Sequence, residues 1–274
     1  MREHIRVDGA KVDEYIGPVT TVGKARIDGM RAEIELAQSL ASASGGLRLL
    51  GFQRIDRKPA AVLAVFFNRG LHGAGLTLVG SHAFGSLLNE LGVLAAGYRT
   101  HDVDVARSRP LTIALPDGSF GALLKLPGAE RLLVDLLVPG KDIGKVMPVK
   151  ELGTHAQTIP YLDFLIEEPL DTVVLSPNQV IPVKVPAPER FVLHKLFSAQ
   201  SRRSDPGKIR KDREQAAIIA AALEEEIPGR LLEAWKDFPR AAKSVTKRGA
   251  RATGKILAGA HPEAEAVMME LAGR

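Results

Sequence analysis

Asp102 and Asp104 stand two residues apart in Thr100-His101-Asp102-Val103-Asp104-Val105, an alternating run that reads as a strand. Side chains two apart in a strand point to one face, so the two carboxylates are presented together, about 6–7 Å apart at Cα. His101 falls in the opposite phase and reads as a side chain turned away from them. Paired carboxylates are hard oxygen donors, the kind that hold Mg²⁺ together with substrate phosphates. Upstream, Val79-Gly80-Ser81-His82-Ala83-Phe84 is a Gly-Ser turn that leaves one strand and opens a helix. Backbone N–H groups at such a helix start receive phosphate. Downstream, Leu132-Leu133-Val134-Asp135-Leu136-Leu137-Val138-Pro139 is an apolar strand broken by one acid. A lone carboxylate there is costly to bury, and a cation shared with Asp102 and Asp104 would remove the cost. Three acids on adjacent strands can hold two cations about 3.5–4 Å apart, the geometry of in-line phosphoryl displacement.

Other readings of these residues compete. Asp102 and Asp104 could face water over a buried Val103 and Val105. Ser81-His82 superficially suggests a serine nucleophile. Adjacent helical residues do not face each other, however, and no nucleophile-elbow sequence surrounds the serine. Lys195, in Phe191-Val192-Leu193-His194-Lys195-Leu196, suits either a point charge on a triphosphate or a snorkelling surface side chain. Arg202, Arg203, Lys208, Arg210, Lys211 and Arg213 form a dense basic cluster around Pro206-Gly207. Such a cluster suits phosphates of a nucleotide or of an RNA backbone, or else a solvated helix face. Asp212 could orient one of these cations.

These residues need elements to position them. Ile5 to Gly17 reads as a hairpin turning at Asp8-Gly9, and Lys24 to Ala43 as an amphipathic helix that stops at the Ser/Gly break 42–46. Lys58 to Asn68 is an expected helix, Leu76 to Val79 a strand, Ser81 to Leu91 a helix, His101 to Ala106 and Arg131 to Val138 strands. Hairpins are expected at 111–126 across Pro116-Asp117-Gly118 and at 173–185 across Ser176-Pro177-Asn178-Gln179. Past Pro186-Ala187-Pro188 the pattern turns helical: Glu189 to Gln200, Lys208 to Glu225, a helix opened by Pro228, and His261 to Leu271. Trp235 and Phe238 are expected core anchors. Lys243 to Gly254, basic and rich in small residues, reads as a mobile segment.

Taken in order, these segments resemble the DNA polymerase β-like nucleotidyltransferase superfamily, and within it a bacterial subfamily related to the toxin-type nucleotidyltransferases. Phe67-Asn68-Arg69-Gly70-Leu71, Tyr161-Leu162-Asp163-Phe164-Leu165, Val185 to Phe191 and His194-Lys195-Leu196 complete the likeness. The stretch between Ser81 and Asp102 is longer than in minimal members. The resemblance implies an α/β fold: a mixed sheet with flanking helices, followed by a helical C-terminal domain. The expected division is 1–45 for hairpin and helix, 46–185 for the core and 186–274 for the helical domain. It implies transfer of a nucleoside monophosphate from an NTP to an acceptor hydroxyl. Asp102, Asp104 and Asp135 would be the catalytic acids and the ligands of Mg²⁺ or Mn²⁺. Gly80, Ser81, Lys195 and Lys211 would bind the nucleotide, and Arg202, Arg203, Lys208 and Arg210 would meet RNA or phosphate. A tRNA-like RNA is one acceptor and a small molecule another. A non-catalytic RNA-binding or protein-interaction module on the same fold is the reading from a different class.

Composition fits this. The chain has 274 residues, 45% of them hydrophobic, which is enough for a large core. No apolar run is long enough to span a bilayer and no signal-peptide region opens the chain, so a cytoplasmic protein is expected. With no cysteine, disulfides and thiolate metal sites are excluded. The net charge is +5, yet Arg190 to Lys255 holds sixteen Lys or Arg against eight Asp or Glu. The excess is concentrated there, which suits a grip on a polyanion.

Overall fold

The two acid-bearing strands are inner members of a five-stranded mixed sheet. The computed structural model describes residues 2–7, 10–15, 20–95, 102–107, 134–149, 154–202 and 205–273. The expected hairpin at 111–126, and residues 131–133 of the expected strand, lie outside them.

Strands β1 (Arg2–Val7) and β2 (Ala10–Tyr15) pair antiparallel, as the Asp8-Gly9 turn leads one to expect. Helix α1 spans Thr21–Leu49, capped by the Thr20 hydroxyl accepting from the Gly23 N–H. The expected stop at Ser42–Gly46 does not occur. Ser44 is fully buried and donates through Oγ to the Ser176 carbonyl at 2.7 Å, so the small residues are a contact surface within the helix.

Helix α2 (Arg57–Asn68) begins with Pro59 in its first turn and buries Val62, Leu63 and Phe66. It is followed by β3 (Thr77–Leu78), α3 (Gly80–Glu90), β4 (Val103–Ala106) and β5 (Val134–Pro139). Two further strands, β6 (Val146–Val149) and β7 (Thr154–Ile159), were not expected from the sequence. The strand order is β3-β4-β5-β7-β6. β4, β5 and β7 run parallel, with β3 and β6 antiparallel on the two edges. The short helix α4 (Leu162–Ile166) leads to the hairpin β8 (Leu170–Leu175) and β9 (Val180–Val185).

The rest is helical: α5 (Pro188–Ser201), α6 (Pro206–Glu226), α7 (Arg230–Asp237), α8 (Arg240–Leu257) and α9 (Pro262–Gly273). Prolines open α5, α6 and α9, where the missing N–H is not needed. Helix α7 starts two residues after Pro228, with Gly229 in the left-handed region as its cap. Phe84 of α3 stacks on Phe191 of α5, with ring centroids 6.3 Å apart, so the sheet layer and the helices share one core. Trp235 and Phe238 are buried and stacked on each other, as expected of anchors.

The expectation of a mobile segment at 243–254 is overturned, because those residues are helix α8 packed on α5. A Cβ on Gly249 would lie 2.2 Å from the Leu196 carbonyl oxygen, so the small residues are what allow the two backbones to touch. Gly249→Ala is therefore expected to lower stability by about 1–3 kcal/mol, the cost of overpacking against immovable backbone. Urea unfolding of the two proteins measures it, and equal midpoints would contradict this packing.

Candidate active site

The site begins in β4. Val103 and Val105 are 0% and 1% exposed, while Asp104 between them turns to the other face and stays partly open to solvent. β4 and β5 run parallel with Asp104 opposite Asp135. Register partners in a parallel pair point to the same side, so the two carboxylates sit on one face. Asp102 immediately precedes β4, and its charge is felt by both other acids.

The Gly-Ser turn hangs on this strand. The Val79 N–H donates to the Asp104 carbonyl at 2.9 Å. Gly80, the first residue of α3, adopts φ +67°, and a Cβ there would fall 2.1 Å from Asp104 Oδ2. Both facts require glycine. Ser81 follows in the first turn of α3, whose N-terminus carries no side-chain cap.

The helical half supplies the opposing charge. Lys195, on α5, donates to Asp212 Oδ1 at 2.6 Å, and Arg202 Nε donates to Oδ2 of the same carboxylate at 2.9 Å. Burial pushes the Asp212 carboxyl up, but the two cations outweigh it and hold it below the usual range. Lys195 and Lys211 both lie close enough to Asp104 to favour its ionised form. Lys208 acts in the same way on Asp135.

Burial and then the Asp135 charge raise the Asp104 pKa to about 6, with Asp102 adding to the rise. Asp135 is raised by burial and by Asp102. Lys211 is lowered, by burial and by Lys195. Crowded carboxylates that resist ionisation, faced by ammonium groups, are a common mark of a functional site. His194 belongs to the scaffold. Burial lowers its pKa to about 4, so it is neutral, and Nε2 lies 3.1 Å from the Pro160 carbonyl, joining α5 to the end of β7.

Two of the expected phosphate contacts, Arg210 and Arg202, have acid partners. Arg210 is strongly exposed and pairs with Glu214 one turn along α6, at 2.6 Å. Arg202 is held by Asp212. Arg203 and His101 lie outside the described residues. Gln157 was missed by the sequence reading: on β7, it donates to Asp135 Oδ1 at 3.4 Å, and its strand was not recognised.

The acids are oxygen donors on one face, mutually repelling, with the Gly80 cradle leaving Asp104 accessible, and this chemistry fits a hard divalent cation. Among the described residues, no three His, Asp or Glu side chains are gathered as a group that could hold a metal ion. Asp102 stands before the strand rather than within it. Among the described residues no helix is long and apolar enough to cross a membrane.

A family model described as "Nucleotidyltransferase" matches residues 120–239. No curated protein and no solved structure matches the chain. The matched segment contains Asp135, Lys195, Lys208, Lys211 and Asp212, and stops short of Gly80, Asp102 and Asp104. That match spans less than half of the 274-residue chain and, beside a mixed α/β sheet followed by a helical region, makes the chain similar to the nucleotidyltransferases over that segment.

Proposed function

We propose that this protein transfers a nucleoside monophosphate from an NTP to a hydroxyl of a tRNA-like RNA, in a reaction dependent on Mg²⁺ or Mn²⁺, with release of pyrophosphate. The observation that carries this is the charge arrangement: Asp104 lies within electrostatic reach of Asp135, Asp102, Lys195 and Lys211 at once. Asp102, Asp104 and Asp135 would hold the cations, whose contribution when bound is to neutralise charge on the transferring phosphoryl group. The Gly80-Ser81 turn receives the β- and γ-phosphates on its N–H groups. Lys195 and Lys211 orient the triphosphate, and Asp135 takes the proton of the attacking hydroxyl. Positioning and preorganised charge do most of the work.

The RNA acceptor is supported by helix α8. Arg240, Lys243, Lys247, Arg248, Arg251 and Lys255 lie along its 18 residues, with no Asp or Glu among them. Lys243, Lys247, Arg251 and Lys255 follow one another at intervals of four, about 6 Å apart along the axis, a stripe suited to successive phosphates. Incubation with each labelled NTP and total RNA is expected to place label in RNA. Binding should weaken steeply between about 50 and about 200 mM salt. Replacing Lys247, Arg248 and Arg251 by Gln should lower the slope of log K against log[salt] by about 2. Label confined to small molecules, with no RNA binding at low salt, would remove the RNA acceptor and leave the transferase.

A further inference from the structure

We propose that a cavity behind helix α3, on the side of Ser81, Gly85 and Asn89, binds a nucleoside monophosphate unit at a site separate from the acid cluster. The cavity has a volume of about 390 Å³, within the range of small-ligand pockets. Ser81, Gly85 and Asn89, spaced four apart, line it from one stripe of the helix. Gly85 keeps the floor low: a Cβ there would meet only Gln53 Cβ, at 3.6 Å.

The walls are fixed before any ligand arrives. The Gln53 N–H donates to Asn89 Oδ1 at 2.7 Å, Asn89 Nδ2 donates back to the Gln53 carbonyl at 3.0 Å, and Gln53 Nε2 donates to the Ala95 carbonyl at 2.9 Å. On the opposite wall the Ile55 N–H donates to the Leu175 carbonyl at 2.9 Å. These bonds hold the lining in place.

The lining groups differ in kind. Phe52, Ile55 and Leu175 offer an apolar surface for a flat, partly apolar body. Arg48 and Arg54 offer positive charge against a single lining acid, Asp56. Arg54 Nε is buried and has no hydrogen-bond partner among the described residues, a donor that a ligand oxygen would satisfy. An apolar plane joined to an anionic group is the chemistry of a nucleotide, free or at the end of an RNA.

The role follows from position and rests on the proposed transfer reaction. Ser81 borders the cavity and its neighbour Gly80 abuts Asp104, so a nucleotide held here sits beside the transfer site as the acceptor's end.

Calorimetric titration with AMP tests the binding without relying on the reaction. AMP is expected to bind the native protein and the Asp104→Asn variant alike, and to bind at least tenfold more weakly to Arg54→Gln and to Gly85→Leu, with melting temperatures confirming that both variants are folded. A short RNA oligonucleotide that displaces AMP assigns the site to an RNA end, whereas failure to displace assigns it to a free nucleotide. No AMP binding at millimolar concentration overturns the proposal. So does binding unchanged in both cavity variants, or lost in Asp104→Asn. Failure of NTP transfer with AMP binding intact would instead count against the reaction and leave the site standing.

Discussion

Asp104→Asn is expected to abolish nucleotidyl transfer and, at the same time, to stabilise the metal-free protein above pH 6. The two effects have one cause. The Asp104 pKa is raised from 3.8 to about 6 in the folded chain, so the native state binds that proton more tightly than the unfolded state. Stability is therefore lost as pH rises from about 4 through about 6, by roughly 1–3 kcal/mol for a shift of this size. Asn has no charge to bury and does not incur this cost. Unfolding midpoints measured without divalent cations should coincide for the two proteins near pH 4 and diverge above pH 6, the variant melting higher. Adding Mg²⁺ should raise the melting temperature of the native protein and leave the variant unmoved. Protons compete for the same oxygens, so the native protein's Mg²⁺ response should fade as pH drops through about 6. A variant less stable than native at pH 8, or one that still transfers, would remove Asp104 from the centre of the site.

Gly80→Ala should be nearly as damaging to transfer, for reasons of shape alone. The residue adopts φ +67°, where a side chain costs about 1–3 kcal/mol. Its Cβ would also lie 2.1 Å from Asp104 Oδ2, so the turn or the acid must move by close to an ångström. Displacements of that order cost about a hundredfold in rate. Turnover should fall about a hundredfold or more, while the protein remains folded and its salt-dependent RNA binding is unchanged. Steady-state kinetics alongside RNA binding separates these. Near-native turnover would mean that the turn and Asp104 do not work together.

The features of the site that were legible in the sequence are those that depend on period and punctuation. Asp102, Asp104 and Asp135 stood out because each interrupts a strand pattern, and the parallel register of β4 with β5 aligns two of them. The helices α5 and α6 were expected at 189–200 and 208–225, each starting just past the proline that opens it. What was missed has a common origin in small and polar residues. Ser44 and Gly249 read as breaks because in isolation they weaken a helix, whereas here they are where a second backbone comes close. The strand β7, Thr-His-Ala-Gln-Thr-Ile, lacks the β-branched apolar density of an inner strand, and Pro148 argues against β6 until β6 is seen to be an edge. Gln157 was lost with β7. The cavity behind α3 is formed by segments distant in the chain, Phe52 to Asp56 and Val174 to Pro177, so no local pattern signals it.

The carboxylate of Asp212 gives the helical half an unusual economy. It holds Lys195 and Arg202 together, one on each oxygen, in a buried setting. Lys195, whose charge is felt by Asp104, thus already has an anion of its own. A triphosphate arriving there would replace a resident partner more than fill a vacant positive hole, so its capture resembles ion exchange on a resin.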